Sequence, residues 1–341
     1  MLCDTAGGNI WRIERLAAWA RETRTVYLSR AFDVWVETVL IRRTHIQTKE
    51  TSMPSPTKTA PKKAGAKKTA SRRNARSNRE EMEQFICNVE PSKSTENDWQ
   101  FGDSVTSGAL GLVAAIPPSV DLRAPWWAIN SQESTGSCVG WATADGVVRY
   151  HMVTAGRITP DQLLSPRHVW MASKETDAIT TRPETFLERA GTTLKAAVDV
   201  ARKQGVALMA DLPFHLQTNM YLGAENTFYA SSAQRRVSAY FNLKKKLTEW
   251  KEWLASNGPI LAALNVDSSW DDAASNGGIV DTFHPGTVRG GHAICVVGYR
   301  TDGRFIMRNS WGTAWGDQGF GYLHPDYIKS AFYDESYGVT V

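Results

Sequence analysis

Four residues of this chain have types and spacings suited to nucleophilic chemistry: Gln132, Cys138, His292 and Asn309. Cys138 follows the turn-like run Thr135, Gly136, Ser137, and Val139, Ala142, Val147 and Tyr150 continue beyond it at roughly helical intervals. The thiol is therefore expected in the first turn of a helix, where unpaired N–H groups and the positive end of the dipole favour the thiolate, its nucleophilic form. Taken alone, such a cysteine is more commonly a small buried hydrophobe; its neighbours point to chemistry. Gln132, upstream of it, could set an amide donor beside the Cys138 N–H, which gives the two donors of an oxyanion hole. Gly136 allows the backbone to approach a substrate closely.

A nucleophilic thiol needs a base. His292 opens an apolar run, residues 293–299, whose Val and Ile content suits a buried strand. A turn at 301–303 and a second strand at 304–308 make a hairpin that returns Asn309 to the neighbourhood of His292. A single histidine at a strand edge is more often structural than catalytic, and Trp311 and Trp315 beyond it are compatible with ordinary core aromatics. His292 and Cys295 raise the question of a metal. Three apart on a strand, their side chains face opposite ways and cannot share an ion, so neither a metal nor another cofactor is expected.

The elements that must position these residues lie in the second part of the chain. With 341 residues and 42% hydrophobic content, there is room for one large domain plus extensions. Residues 1–100 hold 18 Lys+Arg against 12 Asp+Glu, which leaves 21 against 23 for the remainder, so the basic excess belongs to the N-terminal part. Residues 54–79 carry nine Lys+Arg, no acid and no large apolar side chain, a composition that cannot bury enough surface to order itself. Such an arm could bind nucleic acid or an anionic surface by neutralising phosphates, or serve as a solvated linker, and it lacks aromatics to stack bases. The organisation expected is an extension of uncertain status at 1–52, a basic disordered arm and linker at 53–100, and one catalytic domain at 101–341. No apolar run approaches the roughly 20 residues of a membrane span. Four cysteines without a CxxC pair favour a reducing compartment, and a cytoplasmic location is the expectation.

The segment 120–123, VDLR, followed by Gln132 and Gly136-Ser137-Cys138, resembles the active-site region of the papain family of cysteine peptidases. GHAICVVGY at 291–299 resembles that family's histidine strand, and NSWGTAWGDQGFGY at 309–322 its asparagine and tryptophan segment. Weaker likeness at 164–170, 190–206 and 257–267 extends the resemblance from about residue 115 to the C-terminus. Thr135 and Val139 depart from the local signature, the first where the family has a disulfide-forming cysteine, the second where it has an aromatic. The resemblance implies an α+β fold of two subdomains, a helical one carrying Cys138 and an antiparallel β one carrying His292 and Asn309. It implies peptide-bond hydrolysis through a Cys-His-Asn triad, with Trp311 shielding the histidine and Gly136, Gly191 and Gly291 beside the substrate. The expected partner is a peptide or protein substrate. The competing reading is a non-catalytic binding module of the same fold, tethered by the basic arm, and it requires a damaged set of active-site residues. Residues 80–117 are short and weakly helical, so no inhibitory propeptide covering the cleft is expected.

Overall fold

The computed structural model describes residues 83–341 apart from 113–114, 180–186 and 216–224. The expectations for the extension at 1–52 and the basic arm at 54–79 lie outside the described residues. All described residues belong to one compact unit, Ala64–Val341.

The helical part begins with α1 (Phe101–Thr106) and continues through α2, which runs on as three successive segments, Cys138–Gly140, Trp141–Val148 with π-type turns, and Arg149–Thr154. Next come α3 (Pro166–Thr176), α4 (Leu194–Lys203) and α5 (Glu225–Ala233). Helices α3 and α4 start where the chain supplies a cap. Ser165 Oγ accepts from the His168 N–H at 3.1 Å with Pro166 in the first turn, and Thr193 Oγ1 accepts from the Ala196 N–H at 3.1 Å. By contrast Ser137, at the head of α2, makes no capping bond, because its hydroxyl is paired with Thr135 Oγ1 at 2.6 Å. The first-turn amides of that helix are left for another acceptor.

The sheet is mixed, in the order β2 (Ala239–Asn242), β8 (Phe332–Thr340), β3 (Ile260–Val266), β5 (Gly290–Tyr299), β6 (Phe305–Arg308), β7 (Phe320–Leu323), β4 (Ile279–Val280), with β1 (Val120–Asp121) pairing β5. All pairings are antiparallel except β4 with β7, the one departure from the expected antiparallel subdomain. Helices α6 (Leu247–Ser256) and α7 (Pro325–Ala331) complete the fold.

Strand alternation sorts β5 between two cores. Ala293, Cys295 and Val297 join the cluster built on α2 and α4, whereas Ile294 and Val296 join a second cluster rich in Trp250, Trp253, Trp270 and Trp315. Gly146 of α2 permits the first contact, since a Cβ there would stand 3.0 Å from Cys295 Cβ. Cys295 is thus a core residue facing the helix layer, away from the cluster beside which His292 lies.

A buried charge cluster ties α2 to β6. Asp145 receives Arg149 Nη1 at 2.9 Å on one carboxylate oxygen and Arg308 Nη2 at 2.7 Å on the other, and all three side chains are almost wholly removed from solvent. Arg308 also donates to Ala128 O at 2.6 Å, and Trp127 Nε1 donates to Asp145 O at 2.6 Å. Because Arg308 immediately precedes Asn309, this cluster fixes the asparagine relative to the helix that begins at Cys138.

Two predictions follow from this packing. Asp145→Ala strands two buried guanidinium groups and should cost about 3–5 kcal/mol of unfolding free energy in a urea titration, the usual penalty for removing one partner of a buried ion pair. Burial also pushes His151 and His168 from 6.5 down to about 4. The unfolded chain therefore binds more protons than the native one between those limits, and stability should fall as pH drops from about 6.5 to about 4, read as a declining midpoint in thermal melts. A flat midpoint across that window would contradict the assignment of these histidines as buried neutral groups.

Candidate active site

The uncapped start of α2 supplies the environment of Cys138. The backbone amides of Ala293 on β5, of Val139, of Cys138 itself and of Asn88 draw its thiol toward the thiolate. Four amide donors around one sulfur favour the thiolate. Burial opposes and outweighs them, so the thiol is pushed up to about 11.

His292 lies on β5, one residue before the Ala293 amide that reaches the sulfur. Its Nε2 is 2.7 Å from Asn309 Oδ1, and its Nδ1 has no hydrogen-bond partner among the described residues. The pairing of Cys295 with Arg308 across β5 and β6 delivers Asn309 to this position, as the expected hairpin requires. Asn309 Oδ1 also accepts from the Ser310 N–H at 2.8 Å, which holds the amide in place. Burial, followed by the bond to Asn309 acting the other way and the nearby Arg289 charge, brings His292 down to about 4.

Aromatic rings wall off the imidazole. Trp311 lies 4.8 Å from it, centroid to centroid, and Trp270 meets it edge-on at 5.7 Å. Trp270 is itself held by Nε1 donating to Tyr327 Oη at 2.6 Å, and Trp315 Nε1 donates to Trp270 O at 3.0 Å. Trp270 escaped the sequence reading because it closes a three-residue 3-10 helix after β3, too short for a periodic pattern to mark it.

Gln132 is wholly buried. Its Oε1 accepts from Ser310 Oγ at 2.9 Å, which leaves Nε2 as the donating end of the amide. That Nε2 donates to Thr135 O at 3.0 Å and to Ile86 O at 3.2 Å. The second acceptor is a peptide carbonyl from a segment distant in sequence.

Residues 85–92 form a strap across the site. Phe85 stacks on Trp311 at 4.9 Å with 7° between the planes. The Val89 N–H donates to Gly291 O at 3.0 Å on one wall, and the Glu90 N–H donates to Thr192 O at 3.1 Å on the other. Asn88 Nδ2 donates to Arg189 O, and the strap ends with Ser92 Oγ on Glu335 Oε1 at 2.6 Å. The glycines named from sequence line this strap, with one exception. A Cβ on Gly191 would collide with Asn88 O, and one on Gly136 would collide with Asn88 Nδ2 at 2.7 Å as well as with Ala190 O at 2.8 Å. At Gly291 it is the carbonyl that meets the strap, since a Cβ there would face the Tyr333 ring at 3.2 Å instead.

The strap corrects the expectation that residues 80–117 leave the cleft uncovered. Occlusion here needs only an extended backbone bonded to both walls, a device without hydrophobic periodicity, so a search for a helical pattern passes over it. Among the described residues no group of three or more His, Cys, Asp or Glu side chains is arranged to hold a metal ion, and no helix is long and apolar enough to cross a membrane.

The family described as papain family cysteine protease matches residues 116–336. The chain is 25% identical to macrodontain-1 of Ananas macrodontes over 229 residues, 63% of this chain and 92% of that protein. It is 27% identical to cathepsin J of Mus musculus over 210 residues, 58% of this chain and 57% of that protein. With fruit bromelain of Ananas comosus it shares 25% identity and spans 55% of the relative's length. Among solved structures, xylellain, a cysteine protease from Xylella fastidiosa, superposes with a TM-score of 0.61 at 20% identity over 76% of this chain and 97% of that one. Digestive procathepsin L2 of Tenebrio molitor gives 0.57 at 19% identity over 77% and 80%. These structural likenesses concern the fold, and the α+β architecture described above is the papain-like one. With the family match covering most of the chain, including Gln132, Cys138, His292 and Asn309, this protein belongs to the papain family of cysteine proteases.

Proposed function

We propose that the protein hydrolyses peptide bonds through Cys138, His292 and Asn309, and that residues 85–92 hold it in a restrained state. The observation that carries the reading is the pairing of His292: Nε2 is taken by Asn309, Nδ1 has no partner among the described residues, and the backbone amide of Ala293, next along β5, favours the Cys138 thiolate. That arrangement leaves one ring nitrogen to exchange a proton with the thiol. The non-catalytic alternative requires a damaged set of residues, and Gln132, Cys138, His292 and Asn309 are all present.

The chemistry follows from these positions. His292 takes the Cys138 proton, and the thiolate attacks a substrate carbonyl whose oxygen is held by Gln132 Nε2 and the Cys138 N–H. The imidazolium then protonates the leaving amine, a thioester remains on Cys138, and water activated by the neutral imidazole releases the acid. Asn309 keeps the ring oriented through both proton transfers, in the role an aspartate fills in other triads. Trp311 and Trp270 keep water from the His292–Asn309 bond.

Covered by the strap, the thiol and the imidazole are both neutral at pH 7, because burial raises the one to about 11 and lowers the other to about 4. Burial is the first cause in both cases. A cleft opened to water loses that cause, while the four amide donors at the sulfur and the Asn309 bond remain. The charged pair is then less disfavoured than it is under the strap.

The reading is tested with an epoxide-type thiol reagent and a peptide hydrolysis assay on the full chain carrying Phe85→Ala, which removes the stack anchoring the strap. Label should map to Cys138, and adding Cys138→Ala or His292→Ala should reduce hydrolysis by about 10³-fold or more. Adding Gln132→Ala should cost about 10²- to 10³-fold in kcat, as for loss of one oxyanion donor. Hydrolysis that survives Cys138→Ala would sink the proposal.

A further inference from the structure

Arg289 stands just before β5, at the rim of the site, and the mechanism above gives it no task. Its backbone is fixed by the Arg289 N–H donating to Val266 O at 2.8 Å. Its guanidinium lies over Trp311, 5.9 Å from the ring centroid, and meets the Asp271 carboxylate at 3.1 Å. Nε, Nη1 and Nη2 are each buried, yet none makes a hydrogen bond among the described residues. A guanidinium carries five donors, and leaving them buried without acceptors is costly. Arg289 therefore offers a planar set of donors from which Asp271 takes only a charge contact.

The strap lies against this corner of the site. Phe85 stacks on the same Trp311, and the Cys87 thiol lies close enough to feel the Arg289 charge. Neither Phe85 nor Cys87 supplies a carboxylate. With the strap displaced, the guanidinium borders the cleft beside the ring that shields His292.

The chemistry tells which part of a substrate passes there. His292 must hand its proton to the departing amine, so the leaving portion runs on the side of His292 and Trp311, whereas the acyl portion runs past Gly136 and Gly191. We propose that Arg289 is a specificity-determining residue which recruits a carboxylate carried by the leaving portion of the substrate. A carboxylate matches the guanidinium fork through two parallel N–H···O bonds, a geometry that a lysine cannot reproduce. The carboxylate has two sources, an acidic side chain in the first residues after the cleaved bond or the terminal carboxylate of a short peptide.

This inference rests on the peptidase reading, and the experiment separates the two. In the full chain carrying Phe85→Ala, matched peptides are compared by kcat/KM. One pair has Glu or Gln after the cleaved bond with an amidated end; the other has Gln there with a free or amidated end. Arg289 should favour the carboxylate form of at least one pair by about ten-fold, and the pair that responds identifies the source. Adding Arg289→Gln should bring that ratio close to one, and Arg289→Lys, which keeps charge but not the fork, should fall between. The Lys variant also stands as the test if the Gln variant does not fold. Ratios that are the same with Arg, Lys and Gln at this position, in a chain whose hydrolysis depends on Cys138, would overturn the role of Arg289 and leave the peptidase reading intact. Absence of Cys138-dependent cleavage of every peptide would overturn both.

Discussion

Burial of β5 on both faces is the constraint on which the rest of the structure depends. A strand covered on one side only needs one core, whereas β5 sends alternate side chains into a helix layer and an aromatic layer. A slip of one residue would exchange Cys295 for Ile294 against Gly146, where a Cβ already has no room, and would turn His292 away from Trp270 and Trp311. The register that satisfies packing is thus the one that sets the histidine in place. The Asp145–Arg308 pair adds a second tie between the same helix and the strand leading to Asn309. Three side chains from three elements are held by the core itself, and the loops near them need contribute only the covering rings.

The same burial raises the Cys138 thiol and lowers the His292 imidazole, so that both are favoured in their neutral forms. Charge separation between a thiol and an imidazole requires either water or fixed dipoles to stabilise both ions. The fixed dipoles are present as amide N–H groups at the start of α2, made available because Ser137 does not cap the helix. The strap's grip combines backbone bonds with the Phe85 stack on Trp311, the Asn88 amide on Arg189 O and the Ser92 hydroxyl on buried Glu335.

Much of this was legible in the sequence, for identifiable reasons. The β5–β6 hairpin has a long apolar run, a turn and a second run, and it brought Asn309 to His292 as the spacing required. The helix after Cys138 was visible from its periodicity, although its π-type middle segment was not, since apolar spacing does not distinguish the two at this length. Gln132 was singled out because its position relative to Cys138 has a chemical meaning. The strap was missed because it has no periodicity, and Arg289 because one arginine among many carries no signal until its donors are seen to lack acceptors. Asp145 was similarly silent, for a buried acid in a helix is recognisable only by the distant arginine that neutralises it.

The central claim, that a papain-family nucleophile lies beneath its own N-terminal strap, is tested most directly by the rate at which iodoacetamide alkylates Cys138. The rate would be followed against pH in the full chain and in its Phe85→Ala variant, with the modified residue located by peptide mapping. The account predicts slow alkylation in the unaltered chain, rising only as pH approaches the value of about 11 set by burial. In the variant it predicts faster alkylation, with the thiolate appearing at much lower pH. Equal rates and equal pH profiles in the two proteins would contradict it.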